Sequence, residues 1–274
     1  MIISPQELLT CFEIGIIFGS VAVGVYLTFR TINFADLTCD GSFVLGAAVS
    51  AVLIKNGVDP YLSLFCSVLL GGVAGLLTGI LNVKFGITDL LSGIIVAFML
   101  YSVNLRVMGN SPNITFVSSE NTFLITFPLA LCLICLLSSG FGLKLRAIGY
   151  NKQFALTVGT NVELMTIIGL MLSNAMISLG GGLFSQYQGF CDVSQGVGAL
   201  VTGLASVVIG EKVLPFKKEP FIVLSCIAGS ILYRVFINIA LHSDLLAIRT
   251  QDFNLITGVI IILIMIKRKK ALYA

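Results

Sequence analysis

Long stretches almost free of charge, parted by short polar breaks, set the pattern of this chain. Nine apolar runs stand out, at residues 8–29, 43–54, 61–83, 89–108, 123–137, 162–186, 197–210, 221–240 and 253–266. A helix needs about 20 residues to cross the hydrocarbon of a bilayer, and the first run supplies them. The second and seventh, with 12 and 14 residues, do not. At 1.5 Å per residue they reach only about 18–21 Å. They are expected as half-length helices completed by non-helical backbone, which membrane depth tolerates only against protein or a water-filled cavity. Both follow a long span and a polar break, Asp40-Gly41-Ser42 in one case and Asp192 with Ser194-Gln195-Gly196 in the other, and both precede two further spans. The chain therefore parses as one all-α, polytopic membrane domain of about nine helices: a first repeat (8–108), a linker helix (123–139), a polar loop (140–161), a second repeat (162–266) and a basic tail (267–274). An odd linker inverts the second four helices relative to the first, the arrangement in which discontinuous helices build a transport path. Gly15 and Gly19, and again Gly71, Gly75 and Gly79, recur at four-residue spacing and predict close helix contacts.

Composition narrows the class. With 57% hydrophobic and 11% charged residues and a mean hydropathy of +1.04, the chain lies outside the soluble globular range. Gly, Asn and Ser interrupt the runs, without the alternation of a barrel strand. The net charge of +3 reports topology and implies no nucleic-acid partner. If all nine runs cross with the N-terminus outside, Arg30, Lys84, Lys144, Arg146, Lys152, Lys212, Lys217, Lys218, Lys267, Arg268, Lys269 and Lys270 collect inside. Lys55, Arg106, Arg234 and Arg249 stay outside, so the bias supports an outside N-terminus and an inside C-terminus. The seven cysteines fall mostly within the runs, where they act as small apolar groups. Cys132 and Cys135 lack a neighbouring His, and the sole histidine, His242, makes no metal site or acid–base pair. The N-terminus has no basic n-region, so no cleavable signal peptide is expected. No Gly-x4-Gly-Lys-Ser/Thr loop occurs, so this chain does not hydrolyse ATP by that route, and no cofactor of its own is expected.

Residues 140–161 form the one long basic break in mid-chain. Lys144, Arg146 and Lys152 mark it as cytoplasmic. Asn151 is placed to cap a short helix through Lys152, Gln153, Phe154, Ala155 and Val158, which Gly159 ends in the left-handed conformation. Phe154, Ala155 and Val158 are expected on one face, ready to dock in a partner's groove. An amphipathic connector resting on lipid headgroups fits the spacing equally. Candidates for a pathway are Asn33, Phe34, Asp36, Asp40 and Ser42 at the first break and Asp192, Ser194 and Gln195 at the second. Asn104, Ser173, Asn174 and Ser178 lie within spans, where such groups face protein or a cavity. Interhelical hydrogen bonding is the competing role for each of the span residues. For Asp36 and Asp40 the competing role is a cap or a salt bridge to Arg30. Asp89, and Asn161 or Glu163, are expected as N-caps, while Glu211 and Lys212 suit a partner contact or a solvated helix end.

Four motifs in register resemble one family: Ile32-Asn33-Phe34-Ala35, Asp40-Gly41-Ser42-Phe43, Arg146-Ala147-Ile148-Gly149 with Asn151, and Leu204 to Glu211. Together they resemble the permease subunits of bacterial ABC importers of the branched-chain amino acid and ribose type, over nearly the whole chain. The resemblance implies a permease dimer in the bacterial cytoplasmic membrane, seated on two cytoplasmic ATPase subunits that hold ATP and Mg. It also implies an extracytoplasmic substrate-binding protein, a coupling helix over 151–159, and an amino acid, including aromatic ones, as cargo. Cys39 and Cys191 sit in the breaks and depart from a purely polar gate. An ion-driven carrier would share the repeat but place carboxylate relays inside spans, whereas these acids lie near ends and breaks. A sugar or nucleoside is the alternative cargo within the same class.

Overall fold

The structure is a computed structural model that describes residues 5–117, 126–214, 221–241 and 258. Helix α1 (Pro5–Tyr26) runs on into a π-helical turn, Leu27–Ile32. There follow α2 (Cys39–Lys55), α3 (Pro60–Val83), α4 (Asp89–Val107), α5 (Thr126–Ser138), α6 (Gly140–Tyr150), α7 (Lys152–Thr157), α8 (Val162–Gln188), α9 (Ala199–Val213) and α10 (Ile222–Leu241). Among the described residues, α1 with its π-helical turn, α3, α4, α8 and α10 provide five stretches long and apolar enough to cross a membrane. The α5–α6 pair makes a sixth if its two halves, bent by 73°, count as one. Helices α2 and α9 have 17 and 15 residues and fall short of a span. Apart from residue 258, the run at 253–266 lies outside the described residues, as does His242. The chain is a multi-pass membrane protein, nearly all helical.

Glycine and serine let these helices approach. A methyl group on Gly75 of α3 would lie 2.2 Å from the Leu170 carbonyl oxygen of α8, and Gly15 and Gly19 of α1 face Ile231 and Ile227 of α10. The four-residue glycine spacing thus lines two helix contacts, α3 on α8 and α1 on α10. Buried hydroxyls donate to main-chain carbonyls of the neighbouring helix: Ser173 to Gly24, Ser178 to Ser67 and Ser230 to Gly15, each at 2.7 Å. No polar side chain of these three is left to lipid, which is the condition for placing serine in a span. Helix α2 packs between α3 and α8, and α9 between α10 and α1.

Three expectations need correction. The fold is not purely helical: β1 (Asn113–Thr115) pairs antiparallel with β2 (Phe190–Asp192), Ile114 opposite Cys191. These two residues are buried with Ala47, Ala48, Ala51 and Met108, so the ladder closes one end of the bundle over α2. Next, residues 140–150 form helix α6 where a loop was expected. Gly142 allows α6 to fold back on the Leu137 carbonyl, and the Arg146 guanidinium donates to that same carbonyl at 3.2 Å, capping the end of α5. Lastly, Arg234, counted with the outside loops, lies within α10 with its guanidinium 4.0 Å above the Phe18 ring, a cation–π contact.

Candidate translocation site and coupling helix

The 27-residue helix α8 runs from α7 at one end of the molecule to β2 at the other, about 40 Å at 1.5 Å per residue. It therefore serves as a ruler. Asn174 falls at its middle and is fully buried, donating from Nδ2 to Asp36 Oδ2 at 2.7 Å and accepting from Ser42 Oγ at 2.7 Å. Asp36 Oδ1 accepts the Thr38 amide at 2.8 Å, and the Thr38 and Thr78 hydroxyls meet at 2.8 Å. Three of the sequence candidates, Asp36, Ser42 and Asn174, thus form one buried knot. It ties the segment between the π-helical turn and α2 to α8 at mid-depth. A carboxylate so enclosed depends on its donors, because an unmet charge in an apolar interior is costly. Asn174→Leu removes one donor from Asp36 and an acceptor from Ser42. We expect it to lower stability by about 3 kcal/mol, read as resistance to denaturant-driven unfolding in detergent. Asn174→Leu stability equal to wild type would deny the knot that role.

Asp40 does something else. It stands in the first turn of α2, and its carboxylate accepts the Leu200 amide at 2.9 Å and the Gly198 amide at 3.4 Å. Of the two competing roles it therefore takes the cap, at the N-terminus of α9, a helix 160 residues further along the chain, while Arg30 pairs with Glu211 instead. Gly196 lets the second break approach this joint, for a methyl there would lie 2.3 Å from the Asp40 carbonyl oxygen. The two short helices thus meet N-terminus to N-terminus. Helix α4 flanks the joint with Ile94, Ala97, Phe98 and Tyr101, and a cavity of about 560 Å³ opens there. Asn104, one turn on, is buried and donates to the Gly41 carbonyl at 3.2 Å.

The other candidates are dispersed. Asn33 adopts a left-handed conformation, φ 57°, ending the π-helical turn, and lines a cavity of about 360 Å³ with Arg30, Arg146 and Glu211. Arg30 pairs with Glu211 at 2.6 Å, so the carboxylate at this end of α9 already has a counter-charge within the chain. Phe34 is buried beneath α6 and α7. Ser178 is buried against α3. Asp192 and Ser194 form a local turn at the β1–β2 end, Asp192 Oδ1 accepting the Ser194 amide at 2.7 Å, away from the knot. Burial, with the Asp192 carboxylate beside it, pushes the Cys191 thiol up to about 12, so it is an inert packing group. Asp89 is the first residue of α4 and accepts from Asn82 rather than capping, whereas Asn161 caps α8 by accepting the Leu164 amide at 3.0 Å.

Helix α7 takes shape as its residues dictate. Asn151 Oδ1 accepts the amides of Gln153 (2.9 Å) and Phe154 (3.1 Å), and Gly159 follows at φ 77°. The expected apolar face is only partly right. Ala155 is fully buried with Ile32, Phe34, Leu145, Ile148 and Leu170, because α7 rests its small side on α6 and α8. Phe154, Leu156 and Val158 are 60%, 60% and 65% exposed, and Lys152 and Gln153 are exposed beside them. Leu156 was missed because a six-residue helix shows too few turns for periodicity to choose its inner side.

A bundle of apolar spans with two shorter helices, of 17 and 15 residues, meeting end to end is the architecture of a polytopic membrane protein. The chain belongs to the family described as branched-chain amino acid transport system / permease component, whose profile matches residues 8–265. It is an ABC permease. It is similar to a tyrosine transport system permease protein of Clostridioides difficile, 40% identical over 90% of this chain and 86% of that one. It is also similar to the uncharacterized protein RP368 of Rickettsia prowazekii, 31% identical over 93% and 95% of the two chains. A probable branched-chain amino acid transport permease protein of Methanocaldococcus jannaschii is 28% identical over 60% of each.

Proposed function

We propose that this chain is the membrane-spanning subunit of an ATP-driven, binding-protein-dependent importer of amino acids, with aromatic amino acids as cargo. The observation that carries the reading is the joint of α2 and α9 at mid-depth, capped across the halves by Asp40, in a member of this permease family. Energy comes from a pair of cytoplasmic ATPase subunits holding ATP and Mg, a second permease copy completes the pore, and an extracytoplasmic receptor delivers cargo. The nine-helix 4+1+4 inverted repeat belongs to the same reading. Its support is that α3 packs along α8 as α1 does along α10, and α2 sits against α8 as α9 sits against α1. The basic loops set α7 in the cytoplasm, with the N-terminus outside and the C-terminus inside.

Helix α7, through Asn151 to Gly159, is the lever. Ala155 seats it on Phe34 and Leu170, which adjoin Asp36 and Asn174, so a push on α7 reaches the knot and then the Asp40 joint through packed groups. Asp40 and Asn104 flank the path, Asn33 lies at its inner mouth and Asp192 with Ser194 at its outer end, while Phe34, Asp36, Ser42, Asn174 and Ser178 support it from behind. The similarity to a tyrosine permease favours L-tyrosine as the first cargo to test. The test is uptake of labelled L-tyrosine by the chain reconstituted with its ATPase and receptor. Vanadate-sensitive uptake is expected. Uptake driven by a proton or sodium gradient without ATP would assign a secondary carrier instead.

A further inference from the structure

Helix α4 presents a stripe, Ile94, Ala97, Phe98, Tyr101 and Asn104, to the joint of α2 and α9. These residues are three and four apart, so a single face of α4 carries them all. Two adjoining cavities, of about 560 and 140 Å³, share Asp40, Ala97, Tyr101 and Val197 and make one groove. The combined space lies in the range of small-molecule sites, about 300–1,000 Å³. Its lining residues are apolar or glycine apart from Asp40, Tyr101 and Asn104. Asn104 lines the smaller cavity yet is 1% exposed, and its Oδ1 is enclosed behind the wall with no hydrogen-bond partner in the structure. An unmet buried acceptor is costly, so a donor arriving in the groove favours a turn of the Asn104 side chain toward it.

Charge narrows the occupant. Each helix N-terminus carries about half a positive charge, so two such ends facing one carboxylate leave the joint near neutral. An isolated cation or anion gains little there, whereas a zwitterion can set its ammonium to Asp40 and Asn104 Oδ1 and its carboxylate to the helix ends. A sugar, polar on every side, would leave most of its hydroxyls against aliphatic wall. Phe98 and Tyr101, 75% and 56% exposed, offer two rings to the groove. Aromatic side chains prefer aromatic neighbours, in stacked or edge-on contact.

We infer that the groove between α4 and the α2–α9 joint is a subsite for an aromatic amino acid, with Phe98 and Tyr101 as ring contacts and Asp40 and Asn104 as ammonium acceptors. It rests on the importer reading and adds to it a selectivity element within the permease itself. Saturation-transfer NMR on the purified full chain in lipid nanodiscs tests it, with L-tyrosine, L-leucine and D-ribose as probes. Ring protons of L-tyrosine should take up saturation most, L-leucine less and D-ribose least. Phe98→Ala and Tyr101→Ala, both at exposed positions that folding tolerates, should each lower the tyrosine signal about threefold or more. Equal tyrosine signals in all three proteins overturn the subsite, as does an absent ring signal in wild type, which would mean that lipid chains cover α4. The two readings separate in uptake: tyrosine transport unchanged in both variants sinks the subsite and spares the importer. An assembly that moves no amino acid while the ring signal and its loss persist sinks the importer and spares the subsite.

Discussion

Gly46→Val and Gly181→Val are each expected to leave little folded protein. A methyl at Gly46 would stand 1.9 Å from the Ser178 carbonyl oxygen, and one at Gly181 1.9 Å from that of Phe43. In both cases the obstacle is the backbone of a packed helix, and no flexible side chain can swing aside. The contact of α2 with α8 must then open along its length, which also pulls Ser42 from Asn174. The expected loss exceeds ~4 kcal/mol, the range reached when a core is overpacked or its backbone displaced. It should appear as loss of the monodisperse peak after detergent extraction. Gly140→Ala is the matched control, since a methyl there meets nothing within 4 Å and α6 starts at that residue. A normal peak for Gly46→Val would show that α2 and α8 are not held in this contact.

Phe154→Asp and Val158→Asp should do the opposite, sparing the fold and stopping transport. Both side chains are largely exposed, so their loss should alter stability by less than about 0.5 kcal/mol. If they enter a groove on the ATPase, a charge at either position removes an anchor worth about 2 kcal/mol or more, roughly a thirtyfold loss of affinity. ATP-dependent uptake should fall accordingly, with membrane insertion unchanged, as measured in proteoliposomes with the ATPase added at fixed concentration. Ala155→Asp belongs to a different class. It places a carboxylate among Ile32, Phe34 and Leu170 and should dislodge α7 from its seat. Full uptake by both exposed-site variants would remove α7 from the coupling path.

Much of this was visible in the residues themselves because it is local. The apolar runs, the glycine spacing of α1 and α3, the Asn151 cap and the Gly159 turn all depend on neighbours within a few positions. What escaped notice joins distant points: Asp36 meets Asn174 across 138 residues, Asp40 caps α9 across 160, and Arg30 finds Glu211 across 181. No periodicity encodes such a meeting. Asp40 reads as a cap because carboxylates favour any helix start, and only packing shows which helix receives it. Helix α6 was hidden by its basic residues, which read as a loop until Gly142, Leu145 and Ile148 are seen to share a buried side. The strands β1 and β2 are three residues each, too short for alternation to show.

The small ladder has its own mechanical meaning. Strand β1 follows α4 and β2 follows α8, so their backbone bonds clasp the chain beyond α4 to the chain beyond α8 at the end remote from α7. Sliding α4 past α8 at that end would break ladder hydrogen bonds, whereas α7 touches the bundle through side-chain packing on Ile32, Phe34 and Leu170. Of the two ends of α8, the one beside α7 is therefore the more easily shifted.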